Sequence, residues 1–160
     1  ALAGTLPVHD DDRNAAAGRI DRAWFDTARY PSVMELPIRF DDLDVLWHVN
    51  NVAVISLLQE ARVHFNRTMA LPPLGADLRT VVAAMVTEYG GELNYPGTIA
   101  ISSGVLRLGR TSYTFGQLIR QNGVSAVYSQ ITMVMTDANG PAALPESFRS
   151  AIEQGCLIQG

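Results

Sequence analysis

Between Asn50 and Met69 apolar side chains recur at helical spacing. Val54, Leu57, Leu58, Ala61, Phe65 and Met69 make one stripe, which Val52 and Ile55 widen. A helix apolar over so much of its surface belongs inside a domain, with Asn50 or Asn51 as its N-cap and Pro72-Pro73 as its stop. Ahead of it, Val33 to Phe40 reads as a strand. Behind it the period changes to that of β-structure. Thr80 to Glu92, Thr98 to Leu108, Thr111 to Gln121 and Val124 to Thr136 are β-rich runs. They are separated by turns at Tyr95-Pro96-Gly97, Gly109-Arg110 and Asn122-Gly123, the last a hairpin signal. Pro145 to Gln154 reads as a short terminal helix, and Arg22 to Tyr30 as another that Pro31 ends. Residues 1–19, rich in Ala, Gly and Asp, are expected to form a flexible arm before a single domain over 20–160. Strand, long buried helix, then four antiparallel strands is an α+β order in which a sheet must wrap the helix.

Composition narrows the function. The chain has 160 residues, 48% of them apolar, enough for one full core. No apolar run is long enough to span a bilayer, and the first residues lack the basic start and apolar core of a signal peptide. The net charge of −4 argues against nucleic acid as a partner. All twelve basic residues are Arg, so any phosphate must be held by Arg or by backbone N–H groups, and Lys chemistry is excluded. The single Cys156 cannot form an internal disulfide, which fits a reducing, cytoplasmic setting, and no His lies near it to activate it. His9, His48 and His64 have no metal-ligand spacing, and there is no Gly-rich phosphate loop, so neither a metal nor a cofactor is expected.

The chemistry concentrates in Arg39 to Asn51, which packs Asp41, Asp42, Asp44 and His48 into one turn and opens the long helix. A carboxylate, an imidazole and the free N–H groups of a helix start can attack an acyl group and hold the resulting oxyanion. Each residue also has a plainer reading. Asp44 could cap a turn, Asp42 could form the turn or meet the helix dipole, and His48 could hydrogen-bond a backbone carbonyl. Asn50 and Asn51 are explained by capping alone. Glu60 needs a partner, such as Arg62 or a residue across a subunit interface.

Asp42-Leu43-Asp44-Val45-Leu46-Trp47-His48-Val49-Asn50-Asn51, followed by Glu60-Ala61-Arg62, resembles the signature of hotdog-fold acyl thioesterases of the 4-hydroxybenzoyl-CoA thioesterase type. It is also similar to the corresponding segment of plant acyl-carrier-protein thioesterases. Glu88 to Glu92, Tyr95-Pro96-Gly97, Leu108 to Ser112 and Pro145 to Arg149 match later landmarks in order. The resemblance implies a curled five-stranded antiparallel sheet around one central helix and hydrolysis of an acyl-CoA or acyl-carrier-protein thioester. It implies Asp44 as base or nucleophile and the Asn51 N–H as the group that polarises the carbonyl. His48 and Glu92 match the plant-type His and strand Glu. Trp47, Asn50, Arg110 and Ser112 are the implied substrate contacts, with Arg107 and Arg110 as candidates for CoA phosphates. Trp47 replaces the usual Gly, and Leu46 replaces a plant catalytic Asn. The resemblance further implies a homodimer or a tetramer of dimers, with Glu92 and the Arg110 region serving the neighbouring subunit. The alternatives are a hydroxyacyl or enoyl-CoA hydro-lyase on the same fold, pairing His48 with Glu60, and a non-catalytic acyl-CoA-binding module.

Overall fold

The computed structural model describes Trp24 and residues 26–158. The elements are β1 (Ser32–Pro37), α1 (Asn51–Thr68), β2 (Arg79–Tyr89), β3 (Thr98–Leu108), β4 (Ser112–Gln121), β5 (Val124–Asp137), β6 (Gly140–Pro141) and α2 (Glu146–Gly155). The sheet is antiparallel in the order β1-β3-β4-β5-β2, and the two-residue β6 adds a sixth piece beside β5. Bulges at Val82/Ala84, Val105/Arg107 and Ile119/Arg120 bend it, since an extra residue on one strand raises the local twist. α1 lies on the concave side against β1 and β3. This is the curled sheet around one helix that the resemblance implies.

Three expected boundaries move. The first strand ends at Pro37 rather than Phe40, because Arg39 and Asp42 cap one another and turn Phe40–Asp42 into a 3-10 turn. β2 stops at Tyr89 rather than Glu92, where the amides of Gly90 and Gly91 both reach the Ala126 carbonyl. Of the expected helix from Arg22 to Tyr30, the described part is only a 3-10 turn, Thr27–Arg29, capped by Asp26. Tyr30 is extended there, as a residue before proline prefers. The expected arm over 1–19 lies outside the described residues. The Asn122-Gly123 hairpin forms as read, with φ of 51° and 78° at its two central residues.

The concave face carries two apolar clusters. One joins Ile38, Val54, Leu57, Leu58, Ile99, Ile101 and Ile119. The other joins Phe65, Tyr113, Phe115, Ile131 and Met135 to Phe148, Ile152 and Cys156 of the α2 region. Between them a row of polar side chains crosses four strands in register: Ser103, Gln117, Ser129 and Thr87. Gln117 donates to the Leu58 carbonyl and to Ser103 Oγ, both at 3.0 Å, and Arg62 donates to Gln117 Oε1 at 3.2 Å. Arg62 is therefore turned into the core, away from exposed Glu60. Burial holds its pKa below the ordinary arginine value.

Candidate active site

Residues 43–49 form a small hairpin of their own. Leu43 bridges Val49, the Asp44 amide donates to the His48 carbonyl at 2.8 Å, and the Trp47 amide donates back to the Asp44 carbonyl at 3.1 Å. Trp47 follows this turn at φ 66°, the left-handed position that a glycine fills without strain. Holding a Trp there costs on the order of 1 kcal/mol.

The turn aims the Asp44 carboxylate. Its Oδ1 accepts from the amides of Leu46 at 2.8 Å and His48 at 3.2 Å. Its Oδ2 has no hydrogen-bond partner among the described residues. The turn-capping reading of Asp44 is thus correct as geometry, and it leaves one oxygen available.

Asp42 does a different job. It is buried, and its carboxylate accepts from the Arg39 amide at 2.8 Å and from Arg39 Nη2 at 2.7 Å. Hydrogen bonding from Arg39 holds the Asp42 carboxyl below its usual pKa, against the opposing effect of burial. The Asp42 carbonyl accepts the Asn50 amide at 2.8 Å, which ties the loop to the start of α1. Asn50 is the N-cap, its side chain accepting from the Val52 amide at 2.9 Å. The Asn51 amide, in the first turn, has no intrahelical acceptor and no other partner among the described residues.

His48 Nε2 lies 3.3 Å from Glu92 Oε2, with His48 partly exposed and Glu92 mostly so. The segment carrying Glu92 is held twice. The Val49 amide donates to the Leu93 carbonyl, and His48 bridges Asn94. Behind it buried Gln121 clasps Asn94, accepting from its amide and donating to its carbonyl, both at 2.8 Å. The loop therefore joins Asp44 to His48, pairs His48 with Glu92 and leads into α1 at Asn51, within one chain.

Comparisons with known proteins bear on the family and the fold. A family model described as the thioesterase-like superfamily matches residues 38–152. The chain belongs to the thioesterase-like superfamily. Among solved structures, a thioesterase from Thermus thermophilus, complexed with coenzyme A and Zn, is 29% identical; the match covers 78% of this chain and 93% of that one, with a TM-score of 0.70. A predicted thioesterase from Bacillus stearothermophilus is 22% identical over 80% and 98% of the two chains, with a TM-score of 0.70. The PA5185 protein of Pseudomonas aeruginosa is 20% identical over 84% and 97%, with a TM-score of 0.71. No curated protein matches in sequence. The fold is the hotdog fold, and the protein is a thioester hydrolase.

The other implied residues of this thioesterase fall elsewhere. Arg110 and Ser112 stand where β4 begins, whereas Gln121, at its other end, reaches the site. Nine strand residues span roughly 30 Å, so Arg110 and Ser112 do not join Asp44 within one chain. Glu92, expected to serve a neighbour, meets its own His48. Glu60, on exposed α1 surface, is not bonded to His48, so the hydro-lyase pairing is not made. Cys156 is buried at the α2 end, and burial pushes its thiol pKa up, as an inert thiol requires. Among the described residues no cluster could hold a metal ion, and no helix is long and apolar enough to cross a membrane.

Sequence reasoning missed Gln121. A glutamine just before Asn-Gly reads as a solvated turn residue, and its partner is 27 positions away. It also missed Phe40, which meets Trp47 on one side and Tyr95 on the other, although the Tyr95-Pro96-Gly97 landmark pointed at that segment.

Proposed function

We propose that the substrate is an acyl-CoA thioester and that Asp44 is the catalytic carboxylate. The observation that supports this best is the two-sided state of Asp44: Oδ1 is fixed by two amides while Oδ2 is left without a partner, on a loop tied to the helix start. Water attacks the carbonyl carbon while Oδ2 takes its proton. The tetrahedral oxyanion accepts the Asn51 N–H at the positive end of α1. The C–S bond then breaks, and the leaving thiolate recovers the proton from Asp44, giving free acid and thiol. Direct attack by Asp44, through an acyl anhydride that water then opens, uses the same groups. His48, paired to Glu92, borders the same space and orients water or thiol. The coenzyme A bound to the Thermus thermophilus relative favours CoA as the carrier.

The working unit in this reading is a homodimer or a tetramer of dimers. β2 is an edge strand, with Val81, Val82, Val86 and Tyr89 exposed. An edge of this length and polarity is one that proteins cover. A second copy would also bring its Arg110 and Ser112 to this loop. Sedimentation should give a dimer or tetramer, and a fully active monomer contradicts the assembly.

The deciding experiment is thiol release, read with a chromogenic disulfide, over aliphatic and aromatic acyl-CoAs. Buried Cys156 does not contribute to the signal. Wild type should turn over, and Asp44→Asn should be slower by about two to four orders of magnitude. Full activity in Asp44→Asn would remove Asp44 from the mechanism. No turnover by wild type on any acyl-CoA would move the substrate to carrier-protein thioesters.

A further inference from the structure

Beside the Asp44 loop stand three aromatic rings in open solvent. Trp47 is 66% exposed, Phe40 58% and Tyr95 45%. They are not scattered. Phe40 meets Trp47 edge-on with centroids 5.9 Å apart, and meets Tyr95 at 6.1 Å. Leu46 continues the apolar surface at 69% exposure. Phe40 is the middle of this cluster, and its Trp47 end lies on the loop that aims Asp44, since Trp47 donates its amide to the Asp44 carbonyl and precedes His48.

Two separate penalties meet at Trp47. Its backbone sits at φ 66°, which a bulky side chain avoids. Its side chain stays mostly exposed all the same. A glycine or asparagine would make the same turn without either penalty. Strain and exposed apolar surface at one residue mark a place shaped for a ligand.

We propose that Phe40, Trp47 and Tyr95 form a platform that binds a flat aromatic group of the thioester substrate. The inference rests on the thioesterase reading and adds to it the chemistry of what is bound. Aromatic rings prefer offset or edge-to-face partners, and the tilted rings here, with interplanar angles of 68° and 77°, leave faces and edges for another ring. Two parts of an acyl-CoA have that chemistry: an aryl acyl group and the adenine of the carrier.

The test uses Trp47→Asn, which tolerates the left-handed turn but removes the ring, and Trp47→Phe, which keeps a ring. Kinetics are compared on benzoyl-CoA, hexanoyl-CoA and benzoyl-N-acetylcysteamine, which lacks adenine. With an aryl acyl group on the platform, Trp47→Asn raises KM about tenfold for both benzoyl substrates and not for hexanoyl-CoA. With adenine on the platform, KM rises for both CoA substrates and not for the N-acetylcysteamine thioester. Either result supports the platform, provided Trp47→Phe recovers most of the loss and the Tm of Trp47→Asn holds or rises by about 2–4 °C. Unchanged KM on all three substrates, with a fall in Tm, makes the cluster a structural cap and overturns the proposal. A change in oligomeric state makes it a contact between copies, with the same consequence. If wild type hydrolyses none of the three, the thioesterase reading on these substrates fails separately. The platform is then read from tryptophan emission: quenching by coenzyme A or benzoate that is lost in Trp47→Phe, where Trp24 remains, supports it, and no difference overturns it.

Discussion

At the α2 end of the sheet, Phe148, Ile152 and Cys156 pack onto Phe65, Tyr113 and Phe115, and every one of these is buried. At the other end side chains of the same size, Phe40, Trp47 and Tyr95, stand in solvent, and outside the apolar cluster of Ile38, Val54 and Leu93 the loop is held by polar contacts. Those contacts are Asp42 on Arg39, Asn50 on the helix start and Gln121 on Asn94. The polar row from Ser103 to Thr87 marks the division. One end is finished by apolar burial and supplies stability. The other is finished by directed hydrogen bonds, which fix the orientation of Asp44 and His48 while leaving them open to a substrate.

If that division is real, substitutions at the two ends should separate activity from stability. The largest effect is expected from Asp44→Asn. The amide oxygen can still accept from Leu46 and His48, so the turn survives and Tm should move by no more than a few degrees. Turnover should fall by about two to four orders of magnitude. Phe148→Ala should do the reverse. Its ring is buried 5.4 Å from Tyr113, and emptying such a site costs about 3–5 kcal/mol. Chemical denaturation should show that loss, while turnover per folded molecule stays near wild type. A Phe148→Ala protein that is stable but inactive would break the comparison.

How far the sequence carries depends on which of these two kinds of contact is at stake. The long helix, the meander strands and the Asn122-Gly123 hairpin are legible because each is encoded by neighbours: a helical stripe, β-rich runs, a two-residue turn. The Asp44 loop is legible through its motif, and the local hydrogen bonds around it explain the motif's form, down to the position where Trp47 replaces a glycine. What is not legible depends mostly on distant pairing. The Arg39–Asp42 capping that ends β1 early is local but competes with an apolar strand pattern. Arg110 and Ser112 look close to the chemistry in the order of motifs, yet a strand laid end to end carries them away from it. Gln121 has no signature at all until Asn94 is seen against it.

Gln121 also gives the next test. Gln121→Ala removes both bonds to Asn94 and leaves a donor and an acceptor without partners, at a cost of about 1–3 kcal/mol. Because Asn94 bridges His48 and its segment carries Glu92, turnover should also fall, by roughly tenfold, the scale of one weakened hydrogen-bonded contact. A purely structural role would lower stability and leave turnover and its pH profile untouched, so a shifted profile separates the two.

The smallest effect concerns Asp42, and its sign follows from its pKa. Arg39 holds the Asp42 carboxyl below its ordinary value, so the folded state prefers the ionised form. The stability this confers is complete above the unfolded carboxyl pKa, about 3.9, and is lost as pH falls through the lower folded value. Asp42→Asn keeps an oxygen for the Arg39 amide and removes the charge. Its Tm should therefore lie slightly below that of wild type near neutrality, and the gap should close below about pH 4. The difference stays small because the Arg39 side chain is 71% exposed and solvent screens the pair. No carboxylate is among the residues of the α2-end cluster named above, so acid should loosen the two ends unequally. Amide exchange at Arg39 and Asn50, compared at about pH 7 and about pH 2 after correction for the intrinsic rate, should show protection falling there while Phe115 and Ile131 keep theirs. Uniform loss at both ends would mean that the loop is not a separately held unit.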